Sequence, residues 1–389
     1  MRVLHCLYYY RPHYSGLTVY TERLARGLAA RGHHVTVLTS RYDPSLPRLE
    51  LIDGIEVRRV PVATTISKGP IMPGFLPMGW RLARSHDLVH LHVPQLDAAP
   101  LALIARLIGR PAILTYHCDL SLPKTPLNAL ANTLSHLADR ITASACSAIV
   151  TNTRDYAEQS PLLSRHLDRL HVIAPPISVA PATSEALRAM SRSLGIEPGQ
   201  KVIGMAARLA SEKGADTLAA AMPEVLKRYP DARVLYVGQY RDVMGEGAYA
   251  RRLMPIIEAL GKHWVFLGVL SEEEMGAFYR LCDVTVLPSH NSTESFGMVQ
   301  VESMACGTPV VASDMPGIRQ PVAMTGMGLT VPPREPAALA SALIEVLSAP
   351  ASFRRDADEI ARRFSTASVA EQYEQLYAGL LRDRGAPRR

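Results

Sequence analysis

Short apolar runs separated by amphipathic stretches recur along this chain in two series, and that alternation restricts its fold more than anything else in the sequence. In the first series RVLHCLYY (2–9), HVTVLTS (34–40), IEVRRV (55–60), DLVHLHV (87–93), PAILTY (111–116) and SAIVTN (147–152) read as strands. Helical stretches separate most of them, at about 17–31, 97–109 and 125–144; Leu17, Tyr20, Leu24 and Leu28 mark the buried face of the first. A proline-rich segment, IAPPISVAPATSEALRAM, then breaks the pattern as a linker. The second series is KVIGMAA (201–207), ARVLYVG (232–238), WVFLG (264–268), DVTVLP (283–288) and PVVAS (309–313). Its helices are expected near 215–229, 248–260, 271–281 and 296–306, with 335–384 helical throughout. Strand and helix alternating in this way imply parallel sheets covered by helices on both faces. A length of 389 residues also exceeds what one core supports. Two doubly wound α/β domains are therefore expected.

With 48% hydrophobic and 20% charged residues the chain has the composition of a globular protein. No apolar run approaches the roughly 18–20 residues that span a bilayer. The nearest, AAPLALIARLIG (98–109), is short and carries Arg106. MRVLHCLYYY lacks the layout of a signal peptide and reads as a strand. Five scattered cysteines form no C-x-x-C pair, as expected of reduced thiols in the cytoplasm. Charge is uneven: residues 1–173 hold 19 Lys and Arg against 12 Asp and Glu, whereas the remainder is nearly balanced. This suggests an anionic partner for the first half, a membrane surface or a phosphorylated acceptor, with charge kept for solubility as the alternative. Nucleic acid is disfavoured, because no recognised binding motif or aromatic-interleaved basic run is present. GPIMPGFLPMGWRLARS (69–85) sets Phe75, Leu76, Met78 and Trp80 beside Arg81 and Arg84, a pattern suited equally to a membrane interface, an acceptor-pocket loop or a buried helix. Leu127, Leu130, Leu134, Leu137 and Ile141 share one face of the 125–144 helix and are expected in the core.

Ligands of such sheets bind beyond the carboxyl ends of the strands, so chemistry is sought in the loops there and in the cleft between two facing sheets. After strand 201–207 comes ARLASEKGAD, where Arg208 and Lys213 flank a helix start. Free amides, the dipole and two cations together suit a diphosphate. No G-x-x-x-x-G-K-[ST] and no G-x-G-x-x-G occurs, which disfavours a P-loop NTPase or a dinucleotide-dependent dehydrogenase. The first loop, YYRPHYSGLT, also ends at a helix start, and Gly16 would let a phosphate or sugar approach the backbone. TYHCDL puts His117 and Asp119 at the end of a central strand, where the imidazole could exchange a hydrogen bond with a hydroxyl or phosphate. His90 and His92 share one strand face but show no third metal ligand, so they are expected to pack.

ESFGMVQVE places Glu294 and Glu302 at the ends of an almost wholly apolar run. Taken as one helix, eight residues set the carboxylates roughly 12 Å apart along the axis, too far for a shared proton. They suit opposite ends of one hydroxyl-rich ligand, with the amides of Ser295 to Met298 facing its charged middle.

ARLASEKG, the E-x7-E segment leading into SMACGTPVVAS, and the opening SGL with YTERLARGLAARGHHVTVLTS together resemble the retaining glycosyltransferases of family 4. That resemblance runs over essentially the whole chain. It implies the GT-B architecture: two facing Rossmann-like domains, the substrate cleft between them, and a C-terminal helix crossing back to the first. The N-terminal acceptor domain would be 1–175, the linker and first helix 176–200, the donor domain 201–365 and the returning helix 366–389. The reaction implied is metal-independent and cofactor-free transfer of a hexose, with retention, from a UDP- or GDP-linked donor to a hydroxyl of a glycan or lipid-linked acceptor. Arg208 and Lys213 would hold the diphosphate, Glu294 the sugar hydroxyls and Glu302 the ribose. Ser295, Phe296, Gly297, Met298 and Val299 would line the sugar and phosphates, and Gly16 and Gly238 would approach the donor through their backbone. His117 would lie by the donor sugar, with Tyr10, Arg11 and Asp119 on the acceptor side. Ser15-Gly16 stands where the family usually has Gly-Gly, and IAPPISVAP replaces its usual P-N-G-V-D run. The rival functions are a nucleotide-sugar epimerase of the same architecture and an inactive nucleotide-sugar-binding partner subunit. Peripheral attachment to the inner membrane face would accompany a lipid-linked acceptor.

Overall fold

The computed structural model describes residues 1–66, 69–120 and 126–385, without the side chains of 126–130 and 383–385. The chain forms two compact units, Met1–Pro176 with Phe364–Arg389, and Ile177–Arg363. In the first unit the order is β1 (Arg2–Cys6), α1 (Gly16–Ala30), β2 (His34–Arg41), β3 (Leu49–Ile52), β4 (Ile55–Pro61), β5 (Thr64–Ile66), β6 (Gly69–Ile71), α2 (Phe75–Ser85), β7 (Leu88–Val93), α3 (Ala98–Leu107), β8 (Ala112–Tyr116), α4 (Pro126–Ala145), β9 (Ala148–Thr151), α5 (Arg154–Gln159) and β10 (Leu170–Val172). The second unit follows with α6 (Ser184–Ser193), β11 (Val202–Ala206), α7 (Ala215–Arg228), β12 (Arg233–Val237), α8 (Gly247–Ala259), β13 (Trp264–Gly268), α9 (Glu272–Leu281), β14 (Val284–Leu287), α10 (Met298–Ala305), β15 (Val310–Ser313), α11 (Gln320–Thr325), β16 (Gly328–Val331), α12 (Pro336–Ser348) and α13 (Ala357–Arg363). The last helix, α14 (Thr366–Gly385), packs on α1 within the first unit.

The sheet of the first unit runs β10-β9-β8-β7-β1-β2-β4-β3, parallel except for β3 against β4; β5 and β6 form a separate hairpin. The second sheet, β13-β12-β11-β14-β15-β16, is parallel throughout. Both faces are covered, which is why the strands read as unbroken apolar runs. In the second unit Ile203 and Met205 face a core with Leu218, Met222, Leu339 and Leu343, while Val202 faces the opposite core with Phe278 and Tyr279. Successive residues of β11 thus serve the two faces in turn.

Several expectations are corrected. Residues 335–384 are not one helical stretch: α12, α13 and α14 are separate, and Pro350 stands in the first break, where it has no amide to continue a helix. The stripe on α4 is not core: Leu134, Leu137 and Ile141 are exposed, and Leu127 and Leu130 lie outside the described side chains. On α2 the expected interface residues divide. Phe75 is buried, Leu76 and Met78 pack against the core, and Trp80 remains 47% exposed with the Arg84 guanidinium 5.5 Å above its ring.

Candidate functional site

In a doubly wound sheet the loops diverge where the strand order reverses, and a crevice opens beyond the carboxyl ends of the two strands flanking that point. In the second unit those strands are β11 and β14, which pair in parallel although about 80 residues separate them. The loop after β11 carries Arg208 and Lys213, and the loop after β14 carries Glu294. The two loops meet. Lys213 Nζ donates to Glu294 Oε2 at 2.6 Å, with the side chains 18% and 19% exposed. Backbone also joins them, since the His290 amide donates to the Glu212 carbonyl at 3.1 Å. Arg208, 40% exposed, lies 3.3 Å from Glu212, a loose pair that an arriving anion can replace at small cost.

Two helices begin at this crevice, α7 and α10. Each is entered through a glycine with positive φ, Gly214 at 74° and Gly297 at 79°, and neither has a side-chain cap. A β-carbon at Gly214 would overlap the Pro288 carbonyl, and one at Gly297 would overlap the Leu287 side chain, so larger residues are excluded by space as well as by φ. α8, α11 and α12 likewise lack a side-chain cap, whereas α5, α6 and α9 carry a Thr or Ser cap that occupies an N-terminal amide; at the start of α7 the Asp216 amide donates to Tyr249 Oη at 3.2 Å. What sets α7 and α10 apart is that they begin beside Arg208 and Lys213, and their remaining N-terminal amides together with these cations suit an anion. Glu246 Oε2 accepts from the Ser211 amide at 3.0 Å and steadies the turn before α7.

The loop before α10 is built locally. Asn291 Oδ1 accepts from the Thr293 amide at 3.0 Å, an Asx turn. Gln300, fully buried, donates through Nε2 to the carbonyls of Phe296 and Ile318, both at 2.9 Å. Ser295 and Phe296 are buried, whereas Met298 and Val299 are partly exposed at the helix start. Because α10 starts at Met298, the expectation of a helix from near Phe296 is corrected, and the 12 Å spacing built on one continuous helix lapses with it. Glu294 reaches the site from the loop. Glu302, in the second turn of α10, is mostly buried and accepts from Tyr279 Oη at 2.8 Å. Gly238 ends β12, where its amide donates to the Gly268 carbonyl at 2.7 Å.

The first unit holds the remaining candidates. Gly16 opens α1 and is exposed, but Ser15 already caps that helix by accepting from the Thr18 amide at 3.2 Å. Arg11 pairs with Glu22 at 2.6 Å, and Tyr10 is buried. Asp119, expected on the acceptor side, instead ties a loop: its carboxylate accepts from the hydroxyls of Tyr116, Tyr156 and Ser160, each at 2.8 Å. His117 is partly exposed at the end of β8, its amide donating to the Val93 carbonyl. Burial drives its pKa down to about 3, so it is neutral at physiological pH.

His90 and His92 do have a third neighbour, His5 of β1, which pairs in register with His90. One nitrogen from each of the three lies within 4.8 Å of the others, so the trio could approach a metal ion. Hydrogen bonds account for it as it stands. His90 is held by Tyr377 Oη (2.7 Å) and Thr115 Oγ1 (2.6 Å), and His5 Nδ1 meets His92 Nε2 at 2.9 Å. Gly214, Gln300, Tyr279 and His5 were not among the expected site residues. Only Gly214 had a local signal, as the residue between a lysine and a helix start.

Two Rossmann-like domains, each a doubly wound sheet, define the GT-B fold of glycosyltransferases. Residues 15–176 match the glycosyl transferase 4-like domain, and residues 188–364 match the glycosyl transferases group 1 family. A 2-deoxystreptamine N-acetyl-D-glucosaminyltransferase of Streptomyces fradiae is 33% identical over 84% of this chain and 81% of its own. A D-inositol 3-phosphate glycosyltransferase of Corynebacterium efficiens is 30% identical over 96% and 93%. Among solved structures, sucrose-phosphate synthase of Thermosynechococcus elongatus has a TM-score of 0.76 at 22% identity, covering 98% of this chain and 99% of that one. The Anabaena protein HepE in complex with UDP-glucose has a TM-score of 0.76 at 19% identity, covering 97% and 100%. The chain belongs to the group 1 glycosyltransferases.

Proposed function

We propose that the enzyme transfers a hexose, with retention at the anomeric carbon and without a metal, from a UDP- or GDP-linked donor to a hydroxyl of a glycan or lipid-linked acceptor. The observation that carries this is the meeting of Lys213 and Glu294 at the switch point, between two uncapped helix N-termini. Lys213 and Arg208 hold the diphosphate and offset the charge that grows on it as the glycosidic bond breaks. Glu294, already paired with Lys213, accepts from the sugar hydroxyls. Glu302, fixed by Tyr279, accepts from the ribose. The acceptor hydroxyl attacks on the leaving-group face, and a diphosphate oxygen takes its proton. His117 is read as a further substrate contact, and Arg11 as serving the acceptor side.

HepE was solved with UDP-glucose, and the relatives named above are transferases. 2-Deoxystreptamine and D-inositol 3-phosphate, which appear in the names of those relatives, are compounds to assay as acceptors with this chain. The first test is a thermal-shift series with UDP- and GDP-hexoses on the full chain. At about 100 times Kd a donor should stabilise by about 2.7 kcal/mol, a rise of several degrees. A series in which no nucleotide sugar raises Tm would sink the reading.

A lipid surface is the second part of the proposal. Helix α3 packs between α2 and α4. Across these helices Trp80, Leu103, Leu107 (85% exposed), Leu134, Leu137 and Ile141 face solvent, with Arg81, Arg84, Arg106 and Arg140 also exposed. Exposed apolar residues set among arginines suit the interface of an anionic bilayer. No single described helix is long and apolar enough to cross a membrane. The chain is expected to float with vesicles containing phosphatidylglycerol and not with phosphatidylcholine alone, and Leu107→Ser with Leu137→Ser to lose that binding. Equal flotation with both lipids, or none, counts against a lipid surface.

A further inference from the structure

His117 does not stand alone. Its Nε2 lies 3.0 Å from His92 Nδ1, and His92 Nε2 lies 2.9 Å from His5 Nδ1. The rings follow one another along this line nearly coplanar, His92 at 27° to His117 with centroids 5.3 Å apart and at 21° to His5 with centroids 5.2 Å apart. His5 and His92 are completely buried, beneath Tyr20 of α1 and Tyr373 and Tyr377 of α14, and His90, itself buried and held neutral, lies against both with centroids 4.8 Å from His5 and 4.3 Å from His92. The inner end of the line is His5 Nε2, buried and without a partner. At the outer end no hydrogen bond to His117 Nδ1 is found among the described residues, and His117 is partly exposed.

Burial holds all three rings neutral: His5 and His117 are pushed down to about 3, and His92 well below its ordinary value. Each therefore carries a single proton, and each hydrogen bond needs one donor and one acceptor. A line of three such rings has only two polarities. In one, every proton sits on Nε2, and His5 buries an N–H that donates to nothing. In the other, every proton sits on Nδ1, and His5 buries only a bare lone pair. A buried orphan N–H is the rarer and costlier outcome. The exposed end does not discriminate, because water satisfies Nδ1 in either state. The choice is therefore made at His5, two residues along the line from the solvent.

We propose that His5 and His92 are positioning residues that lock His117 as the Nδ1–H tautomer, so that His117 meets its substrate as a hydrogen-bond donor and does not serve as a general base. This rests on the reading of His117 as a substrate contact. An N–H facing outward suits a sugar hydroxyl oxygen or a phosphate oxygen, and it leaves the acceptor's proton to the diphosphate.

The test begins with the wild-type protein labelled with ¹⁵N in its histidine rings. Imidazole ¹⁵N shifts distinguish a protonated nitrogen from a bare one in each ring. The expected result is Nδ1 protonated and Nε2 bare in His5, His92 and His117 at pH 7.5. A proton on Nε2 of His117 would overturn the proposal without reference to activity. A second arm uses His92→Phe, which removes the link, and His92→Gln, whose amide can both donate and accept. His92→Phe should release His117 to populate both tautomers and should lower kcat/KM, because a His117 with a bare Nδ1 cannot donate to the substrate. His92→Gln should restore the single tautomer and most of the wild-type kcat/KM. A His117 still wholly Nδ1–H in a folded His92→Phe enzyme would overturn the role given to His92 and His5. If the tautomers are as stated but His117→Phe transfers sugar at the wild-type rate, the substrate-contact reading fails and the lock alone stands.

Discussion

Lys213→Ala is expected to lower kcat for sugar transfer by about 10²–10³-fold, the usual effect of removing one fixed group that stabilises developing charge. Two effects add. In the proposed mechanism the cation that offsets charge on the leaving diphosphate is lost, and Glu294 is left as an unpaired, mostly buried carboxylate beside that anion. KM for the donor should therefore rise as well. Glu294→Gln combined with Lys213→Ala should recover part of that rise, because the repulsive charge is gone, while kcat stays low. The two residues act as one unit, so their effects will not sum. Donor turnover in folded Lys213→Ala within threefold of wild type would remove Lys213 from the chemistry.

Asp139→Asn is expected to stabilise the protein at alkaline pH and much less in mild acid. Asp139 lies on α4, 1% exposed, with neither carboxyl oxygen partnered. Burial, and secondarily the Asp119 charge, raise its pKa to about 7. The unfolded value is about 3.9, so the folded state holds the proton more tightly. Stability from this group is complete below about pH 4, falls as pH rises towards about 7, and is lost above that. Between pH 5 and 8 the loss amounts to about 3 kcal/mol, at about 1.4 kcal/mol per unit. The amide cannot ionise and avoids that loss. Calorimetry should show the Tm advantage of Asp139→Asn larger at pH 8 than at pH 5 by several degrees. An advantage equal at both pH values would mean that Asp139 does not carry its proton to neutrality.

The main strands were legible because a strand buried on both faces must be apolar at every position. Those missed lack that signature. β3 (LELI) is an edge strand with alternating exposure, and β5, β6 and β10 have only three residues each. Helical period revealed the stripe on α4 but not its surroundings: Leu134 and Leu137 repeat as core residues do, and only the folded chain shows them uncovered. Within the site, residue types and local order marked Arg208, Lys213 and Glu294. Their meeting was not legible, since it depends on β11 lying beside β14. His5 was missed for the same reason. It stands opposite His90 only because β1 pairs with β7.

The central claim, retaining transfer from a nucleotide diphosphate sugar held at the switch point of the second unit, can be tested without knowing the acceptor, using water in its place. Wild type and Lys213→Ala are incubated with UDP- and GDP-α-hexoses, and ¹H NMR follows the anomeric proton of the first sugar released, before mutarotation. The expected result is release of the α-anomer by wild type and its near-absence with Lys213→Ala. A first product in the β configuration, or equal release by both proteins, would contradict it.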